Sequence, residues 1–211
     1  MIMNNYECIY YHYESCLEKN GDSHLGVDWP NYDDMIKRYK IMLHITNYFN
    51  KNQKKSLLDF GAGCGGLYNF IKNNNYNLNY TALDISPKFC DIIKKKYHDI
   101  DVLNIDVLKE DIKTNFDFII LNGVFTEKRD LSDDVMWDFF TNVLKKIWKN
   151  TNMGISFNIM TPIVDWKDDK LFYVSYDKLG KFLKENLSRN YILNQSYGLW
   201  EYTVYVFKNP L

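Results

Sequence analysis

The chain has 211 residues, of which 46% are hydrophobic and 25% are charged. Its 26 basic and 27 acidic residues give a formal net charge of −1, whereas proteins that bind long nucleic acids usually carry a basic surface. These totals predict one globular domain with a sizeable core and disfavour a nucleic-acid partner.

The cysteines are scattered along the chain, at Cys8, Cys16, Cys64 and Cys90, without a C-x-x-C pair or a histidine at ligand spacing. This pattern disfavours structural zinc and a disulfide framework. We therefore expect no metal, and free thiols of the kind that persist in a reducing cytoplasm. The sequence also lacks a secretory signal pattern and the ~20 apolar residues of a membrane span. We expect a cytoplasmic protein without a membrane partner.

Residues 1–52 predict a helical cap that precedes the sheet. The cap contains a helix near Glu7–Lys19, a loop with the sequence GDSHLGVDWPN, and a longer helix from about Tyr32 to Phe49. Asn31 stands immediately before the second helix, where an asparagine side chain can accept a hydrogen bond from the first turn.

Residues 53–211 predict a core in which short apolar strands alternate with amphipathic helices. The expected strands are Ser56–Gly61, Asn79–Ile85, Asp101–Asp106, Phe116–Asn122 and Gly154–Met160. The helices between them are expected at Gly65–Lys72, Pro87–Tyr97 and Asp133–Lys149. This alternation is typical of a parallel sheet covered on both faces.

The C-terminal part departs from this alternation. A helix near Ser175–Glu185 is followed by two strand-like segments, NYILNQS and WEYTVYVFK, which a short turn at Tyr197-Gly198 connects. A turn of this length permits only an antiparallel pair. We therefore predict an α/β, Rossmann-like fold with a seven-stranded, mostly parallel sheet and an antiparallel C-terminal strand.

The segment LLDFGAGCGG contains a G-x-G-x-x-G pattern, formed by Gly61, Gly63 and Gly66. In dinucleotide-binding proteins such a loop holds a pyrophosphate at a helix N-terminus. Here Asp59 precedes the loop, and residues 59–70 contain no lysine or arginine. A carboxylate disfavours an anion but suits S-adenosylmethionine, which carries an ammonium and a sulfonium and no phosphate.

Four motifs in order resemble those of the class I S-adenosylmethionine-dependent methyltransferases, over nearly the whole chain. They are LLDFGAGCGG, YTALDIS, LNIDVL and FDFIILNGVF. The resemblance implies that Asp84 binds the ribose hydroxyls, Asp106 lies near the adenine amino group, and Asn122 faces the methionine portion. The implied cofactor-binding residues are Asp59, Gly61, Ala62, Gly63, Asp84, Ile85, Asp106, Val107 and Asn122. The alternative is that these acids only cap the helices that follow, as Asp84 could do ahead of Ser86.

Further segments resemble a group of small bacterial methyltransferases associated with surface-polysaccharide (capsule) biosynthesis. These segments are HLGVDWPN, GISFNIM and LWEYTVYVFK, together with Arg38 in the second helix. The resemblance implies that Arg38 reaches the cofactor carboxylate; the alternative is an ordinary surface arginine. The association does not identify a substrate, but the lack of an N-P-P-Y motif, of metal-ligand spacing and of an appended target-recognition domain favours a small acceptor that carries a hydroxyl, such as a sugar, a sugar nucleotide or a phosphoramidate-bearing glycan unit.

A hydroxyl acceptor would benefit from a general base. The candidates are His24, in the loop before the second helix, and Asp165, after the fifth strand; either could instead be a solvated loop residue. Trp29, Trp166, Tyr173, Trp200 and Glu201 could form walls of an acceptor site, although aromatic residues this frequent are more often part of a core.

Three other functions remain open at this level. An N-methyltransferase acting on a small metabolite would share the same fold and cofactor. A nicotinamide-dependent oxidoreductase would use the glycine pattern but leaves Asp59 unexplained, and a non-catalytic scaffold would bind the cofactor without turnover. After the fourth strand the sequence reads Asn122-Gly123-Val124-Phe125 instead of the N-P-P-Y of enzymes that methylate amino groups of DNA. Nothing in the sequence indicates the oligomeric state.

Overall fold

The computed structural model describes residues 6–50 and 52–211; residues 1–5 and 51, which belong to the predicted cap, lie outside the described residues. The strands are Lys55–Phe60 (β1), Leu78–Asp84 (β2), Asp101–Asn104 (β3), Phe116–Leu121 (β4), Thr151–Met160 (β5), Tyr191–Asn194 (β6) and Glu201–Phe207 (β7). The α-helices are Glu7–Asn20 (α1), Tyr32–Leu43 (α2), Gly66–Asn73 (α3), Pro87–Lys96 (α4), Asp133–Lys149 (α5) and Tyr176–Asn186 (α6).

The seven strands of the described residues form one sheet in the order β3-β2-β1-β4-β5-β7-β6. Strands β1 to β5 pair in parallel, and β7 pairs antiparallel with both β5 and β6. The predicted fold, with its antiparallel C-terminal strand, is confirmed. The strand order reverses at β1, between β2 and β4, and ligands of open α/β sheets bind beyond the carboxyl ends of the strands at this reversal.

The central strands, which form the floor of this crevice, are buried on both faces. Leu57 and Leu58 of β1, and Phe118, Ile119 and Ile120 of β4, have no solvent-accessible surface. Each such side chain contributes about 1.5–3 kcal/mol through its burial. One face of the sheet packs against α5 and α6, and the other packs against α2 and α3.

The helix after the cap loop is shorter than predicted. Asn31 caps it as expected, because its Oδ1 accepts a hydrogen bond from the Asp34 N–H at 3.0 Å. The α-helix ends at Leu43, however, and the chain continues to Tyr48 as a 3₁₀ helix. The Thr46 hydroxyl donates to the Leu43 carbonyl at 2.8 Å, and such local side-chain bonds compete with regular helical bonding.

Within the described part of the chain, every helix is too short or too polar to cross a lipid bilayer.

Candidate functional site

A cavity of about 350 Å³ lies between the carboxyl ends of the central strands and the N-terminal cap. All nine residues that the sequence motifs predicted for cofactor binding line it: Asp59, Gly61, Ala62, Gly63, Asp84, Ile85, Asp106, Val107 and Asn122. They come together because β1, β2 and β4 are parallel neighbours, and β3 delivers Asp106 from the far side of β2.

Three N–H groups at the start of the glycine loop are already used within the protein. Gly61 and Ala62 both donate to the Leu83 carbonyl, at 2.8 and 3.1 Å. Gly63 donates to Asp84 Oδ2 at 2.9 Å. A pyrophosphate bound to a glycine loop needs such donors to be free and directed at the ligand. This loop therefore offers little to a phosphate, although its G-x-G-x-x-G spacing matches the dinucleotide pattern.

Asp59 is a deeply buried carboxyl group beneath the loop, with 2% of its surface exposed. Its Oδ2 accepts a hydrogen bond from the Tyr80 hydroxyl at 2.6 Å. Burial raises the pKa of Asp59 to about 7; the Tyr80 hydrogen bond opposes this shift and the neighbouring Asp84 carboxyl adds to it. A cationic ligand in the cavity would favour ionised Asp59.

Asp84 connects the end of β2 to the glycine loop. Its Oδ1 accepts from the Ser86 N–H and its Oδ2 accepts from the Gly63 N–H, both at 2.9 Å. Burial raises the pKa of Asp84 to about 6, although these N–H donors stabilise its anion. The carboxylate therefore holds the backbone before α4 and also lines the cavity. Asp84 can thus cap this helix and bind the cofactor at the same time, the two roles that the sequence left open.

Asp106 and Asn122, the other two polar residues predicted to bind the cofactor, differ in whether their side-chain oxygens already have hydrogen-bond partners. Asp106 accepts hydrogen bonds from the Tyr6 hydroxyl at 2.8 Å and from the Leu108 N–H at 3.0 Å. Asn122 Oδ1, by contrast, is buried and has no hydrogen-bond partner among residues 6–50 and 52–211. Leaving a buried acceptor unpaired costs about 1–3 kcal/mol, so a ligand with an N–H donor would be stabilised here.

The charge of the cavity fits a cationic cofactor. Among its described lining residues are four aspartates, Asp22, Asp59, Asp84 and Asp106, and one lysine, Lys96. Lys96 is neutralised, because its Nζ lies 2.8 Å from Asp22 Oδ2 and donates to the Cys64 carbonyl at 2.9 Å. Together with the unpaired Asn122 oxygen, this surface fits the ammonium and sulfonium of S-adenosylmethionine better than a pyrophosphate.

His24, from the loop before α2, also lines the cavity. Its Nδ1 lies 2.6 Å from the Trp29 carbonyl oxygen. Because a carbonyl can only accept, Nδ1 carries the proton, and Nε2 of the neutral ring keeps its lone pair. In the described part of the chain Nε2 makes no hydrogen bond, so it is available to a ligand.

Two glycines allow the cap loop to approach the sheet. Gly63 and Gly123 have φ angles of +54° and +82°. A Cβ atom would lie 2.8 Å from Val27 at the first position and 2.6 Å from the Trp29 ring at the second. Only glycine fits such left-handed, closely approached positions without strain.

Arg38 does not line the cavity, which departs from the role that the resemblance implied. Its guanidinium binds both oxygens of Glu201, through Nε at 3.0 Å and Nη2 at 2.9 Å. It also lies 4.3 Å from the centre of the Trp29 ring. Glu201 is 1% exposed, and a buried carboxylate requires a partner. Arg38 is therefore neither directed at the cofactor site nor an ordinary surface residue.

Asp165 also lies outside the cavity lining, exposed in the segment 161–170 that follows β5. The segment begins at the carboxyl end of β5, but its Asp165 carboxylate is solvent-exposed and is not among the residues that line the cavity. Trp166 and Trp200 are about half exposed, and the Tyr173 hydroxyl accepts from the Asp168 N–H in the same loop. Of the predicted aromatic wall, only Trp29 lines the cavity.

The sequence interpretation missed a row of side chains from α1 that covers the cavity. Tyr6, Ile9, Tyr10 and Tyr13 line it, and Tyr13 donates to the Gly123 carbonyl at 3.4 Å. Their i, i+3, i+4, i+7 spacing places them on one helical face. The sequence could have indicated this shared helical face, but only the docking of α1 shows that the face lines a cavity.

Comparisons with known proteins agree with this geometry. Residues 58–146 match the family described as "Methyltransferase domain". The chain is 25% identical over 156 residues to "Putative methyltransferase Rv1506c" of Mycobacterium tuberculosis, an alignment that covers 72% of this chain and 93% of that protein.

Two solved structures share the fold at low identity. The magnesium protoporphyrin IX methyltransferase of Synechocystis PCC 6803, solved with bound S-adenosylmethionine, aligns with a TM-score of 0.68, 10% identity and 99% coverage of each chain. The plantazolicin methyltransferase BpumL, solved with S-adenosylhomocysteine, aligns with a TM-score of 0.65 and 12% identity, covering 98% of this chain and 96% of that one.

The motif order, the strand order, the acidic cavity and these relatives lead to one assignment. Residues 58–146 match a methyltransferase domain and the chain has the fold of these methyltransferases, which together support an S-adenosylmethionine-dependent methyltransferase with S-adenosylmethionine as its cofactor.

Proposed function

We propose that the protein transfers the methyl group to a hydroxyl oxygen of a small, carbohydrate-related acceptor, with His24 as the general base. The observation that carries this proposal is the fixed tautomer of His24, whose Nδ1 donates to the Trp29 carbonyl at 2.6 Å while the ring lines the cavity. A neutral hydroxyl is a weak nucleophile, and a positioned base increases its rate of attack by about 10²–10⁴-fold.

The cofactor is held in this proposal by the nine motif residues at the strand ends. Asp84 and Asp106 provide carboxylate acceptors for ribose and adenine, and Asn122 Oδ1 accepts from the ammonium group. Asp59 contributes negative charge from below the glycine loop. When bound, S-adenosylmethionine supplies a methyl group on a sulfonium, an electrophile that an oxygen nucleophile can take.

His24 Nε2 takes the proton that the acceptor hydroxyl loses as its oxygen becomes methylated. The Trp29 carbonyl then remains hydrogen-bonded to Nδ1, so the imidazolium stays in place and is stabilised by this contact. Tyr10, Tyr13, Trp29 and Tyr32 also line the cavity. Aromatic rings offer apolar faces to the C–H surfaces of a sugar, and their covering position limits the entry of water.

The remaining parts of the proposal concern organisation and setting. Residues 1–211 act as one methyltransferase domain, in which residues 1–52 form the cap and residues 53–211 form the core. The enzyme works in a bacterial cytoplasm on a small molecule, without a nucleic-acid partner. The surface-glycan substrate class rests on the resemblance of HLGVDWPN, GISFNIM and LWEYTVYVFK to methyltransferases of that pathway type.

The test measures S-adenosylhomocysteine release with sugars, sugar nucleotides and small amines as acceptors. We expect release only with hydroxyl acceptors, and we expect His24→Asn to lower kcat by about 100-fold or more. Asparagine keeps an N–H donor for the Trp29 carbonyl, so the affinity for S-adenosylhomocysteine should stay within about twofold. Added imidazole should partly restore His24→Gly, because a purely structural role would not respond to a free base.

Three outcomes would contradict the proposal. Turnover with amines alone would replace it by N-methylation, and full activity of His24→Asn would remove His24 as the base. If no acceptor in the panel releases S-adenosylhomocysteine although the cofactor binds, the carbohydrate class is wrong.

A further inference from the structure

A group of three side chains that can ligate a metal ion lies outside the cofactor cavity. His12 and Cys16 stand one turn apart on α1, and Asp28 follows the 3₁₀ turn of residues 25–27. His12 Nε2 lies 2.6 Å from Asp28 Oδ2 and 3.6 Å from Cys16 Sγ. One ligand atom from each residue lies within 4.8 Å of the other two, and all three residues are partly buried.

We propose that His12, Cys16 and Asp28 bind a divalent transition-metal ion of the zinc type. From the sequence we expected no metal, in part because no histidine was recognised at ligand spacing from a cysteine. That reason is wrong for Cys16, because His12 precedes it by four residues on the same helix. The third ligand comes from another segment, which spacing along the sequence does not reveal.

The chemistry of the three ligands suits zinc. Zinc binds imidazole nitrogen at about 2.0–2.1 Å, thiolate sulfur at about 2.3 Å and carboxylate oxygen at about 2.0–2.2 Å, usually with tetrahedral geometry. These bond lengths separate nitrogen from sulfur by about 3.6 Å in a tetrahedron, which matches the 3.6 Å between His12 and Cys16. The nitrogen and oxygen must move apart to about 3.4 Å, and the Asp28 side chain, 32% exposed, has room to move.

Glu127 lies outside this group of three, and in this proposal its side chain moves toward the group to become the fourth ligand. Its Oε2 lies 3.9 Å from His12 Nε2 and 2.9 Å from Arg129 Nη1. With a neutral imidazole, a thiolate and two carboxylates, the ligands carry three negative charges. A divalent cation and the Arg129 guanidinium balance this charge. Binding displaces the thiol proton of Cys16, and it requires the His12 ring to bind through an unprotonated Nε2 while Nδ1 carries the ring proton, so the hydrogen bond between Nε2 and Asp28 is replaced by bonds to the metal.

The site connects the segments that form the roof of the cavity. Tyr13 and Trp29, which line the cavity, are the chain neighbours of His12 and Asp28, and Glu127 lies on the segment that follows Gly123. None of the four ligands lines the cavity itself. A bound ion would therefore cross-link the cap to the core without competing with the cofactor.

Titration of the purified full chain with Co²⁺ tests this site by absorption spectroscopy, followed by competition with Zn²⁺. We expect a thiolate-to-cobalt charge-transfer band with tetrahedral d–d bands, and loss of both on addition of zinc. Cys16→Ser should abolish the charge-transfer band and weaken binding by at least about 100-fold, more than the loss of a second-shell partner. Cys8→Ser is the matched control on α1 and should bind like the wild type.

A second readout is independent of any folding defect in the cysteine variant. Asp28→Asn, at a partly exposed position, should weaken cobalt binding while retaining the thiolate band at high metal concentration. Zinc should raise the Tm of the wild type and of Cys8→Ser, because a ligand that binds only the folded state stabilises it. A cobalt complex without a thiolate band, or equal binding by Cys16→Ser and Cys8→Ser, would overturn the proposal.

Discussion

The Arg38 guanidinium and the Glu201 carboxylate form a bidentate ion pair that connects α2 with the beginning of β7. Asn158 Nδ2 also donates to Glu201, at 2.9 Å, and Asn158 Oδ1 accepts from the Gly123 N–H at 2.7 Å. The pair therefore belongs to a buried polar network that ends beside Asn122 in the cavity. Arg38 supports the position of the site without contacting its interior.

Arg38→Gln should lower the free energy of unfolding by about 3 kcal/mol, because it leaves the Glu201 carboxylate buried without its cation. Urea denaturation measures this loss. Adding Glu201→Gln should recover part of it, since the uncompensated charge is then removed. If Arg38→Gln keeps wild-type stability but binds S-adenosylhomocysteine at least about tenfold more weakly, the arginine contacts the cofactor after all.

Cofactor affinity should increase with pH, because burial raises the pKa of Asp59 to about 7. Below this pKa the carboxyl is neutral and does not attract a cation; above it the anion does. Calorimetric titration with S-adenosylhomocysteine should show up to about tenfold weaker binding near pH 6 than near pH 8. Asp59→Asn should bind more weakly and lose most of this dependence. A wild-type affinity that is constant over the range would contradict the assigned role of Asp59.

The contribution of Asp59 to the stability of the cofactor-free protein should decrease with pH, in contrast to the cofactor affinity. The pKa of Asp59 rises from 3.8 to about 7 on folding, so the folded state holds this proton more tightly than the unfolded state does. Between these two values the stability contributed by Asp59 decreases as the pH rises. The stability difference between Asp59→Asn and the wild type should therefore shift in favour of the variant from about pH 4 to about pH 7. A difference that does not change with pH would exclude a raised pKa.

Gly123→Ala should displace Trp29 from the cavity wall. The added Cβ would lie 2.6 Å from the indole ring, and overpacking of this kind costs about 1–3 kcal/mol. Gly198→Ala is the matched control, because Gly198 also has a positive φ, of +73°, but a Cβ there meets nothing within 4 Å. Both variants share the cost of the left-handed backbone. Only Gly123→Ala should also change tryptophan fluorescence and weaken cofactor binding; equal effects would contradict the close contact.

The sequence predicted the fold and the cofactor side of the cavity because both follow from local patterns. Apolar strands that end in acids place those acids at one edge of a parallel sheet, so Asp59, Asp84 and Asp106 meet without further information. Arg38 and Asp165 were harder to assign because their positions depend on tertiary contacts. The buried carboxylate of Glu201, 163 residues away from Arg38, holds its guanidinium, and no local pattern encodes that pairing.

The N-terminal cap is a clearer example of tertiary contacts that local sequence patterns do not encode. Helical spacing along α1 predicts which side chains share a face, and it places Tyr6 with Tyr10 and Tyr13. This spacing does not show that the face covers a ligand cavity. It also does not show that His12, elsewhere on the same helix, lies next to Asp28. Both facts depend on how the cap docks against the strand ends, which the left-handed glycines at positions 63 and 123 permit.

The most direct test of the account compares calorimetric titrations of the purified protein with S-adenosylhomocysteine, NAD and NADP. The loop N–H groups of Gly61, Ala62 and Gly63 are bonded within the protein, and the cavity is acidic. The account therefore predicts micromolar binding of S-adenosylhomocysteine and no binding of either dinucleotide. Binding of NAD or NADP with no binding of S-adenosylhomocysteine would show that the loop holds a pyrophosphate, and would contradict the assignment at its foundation.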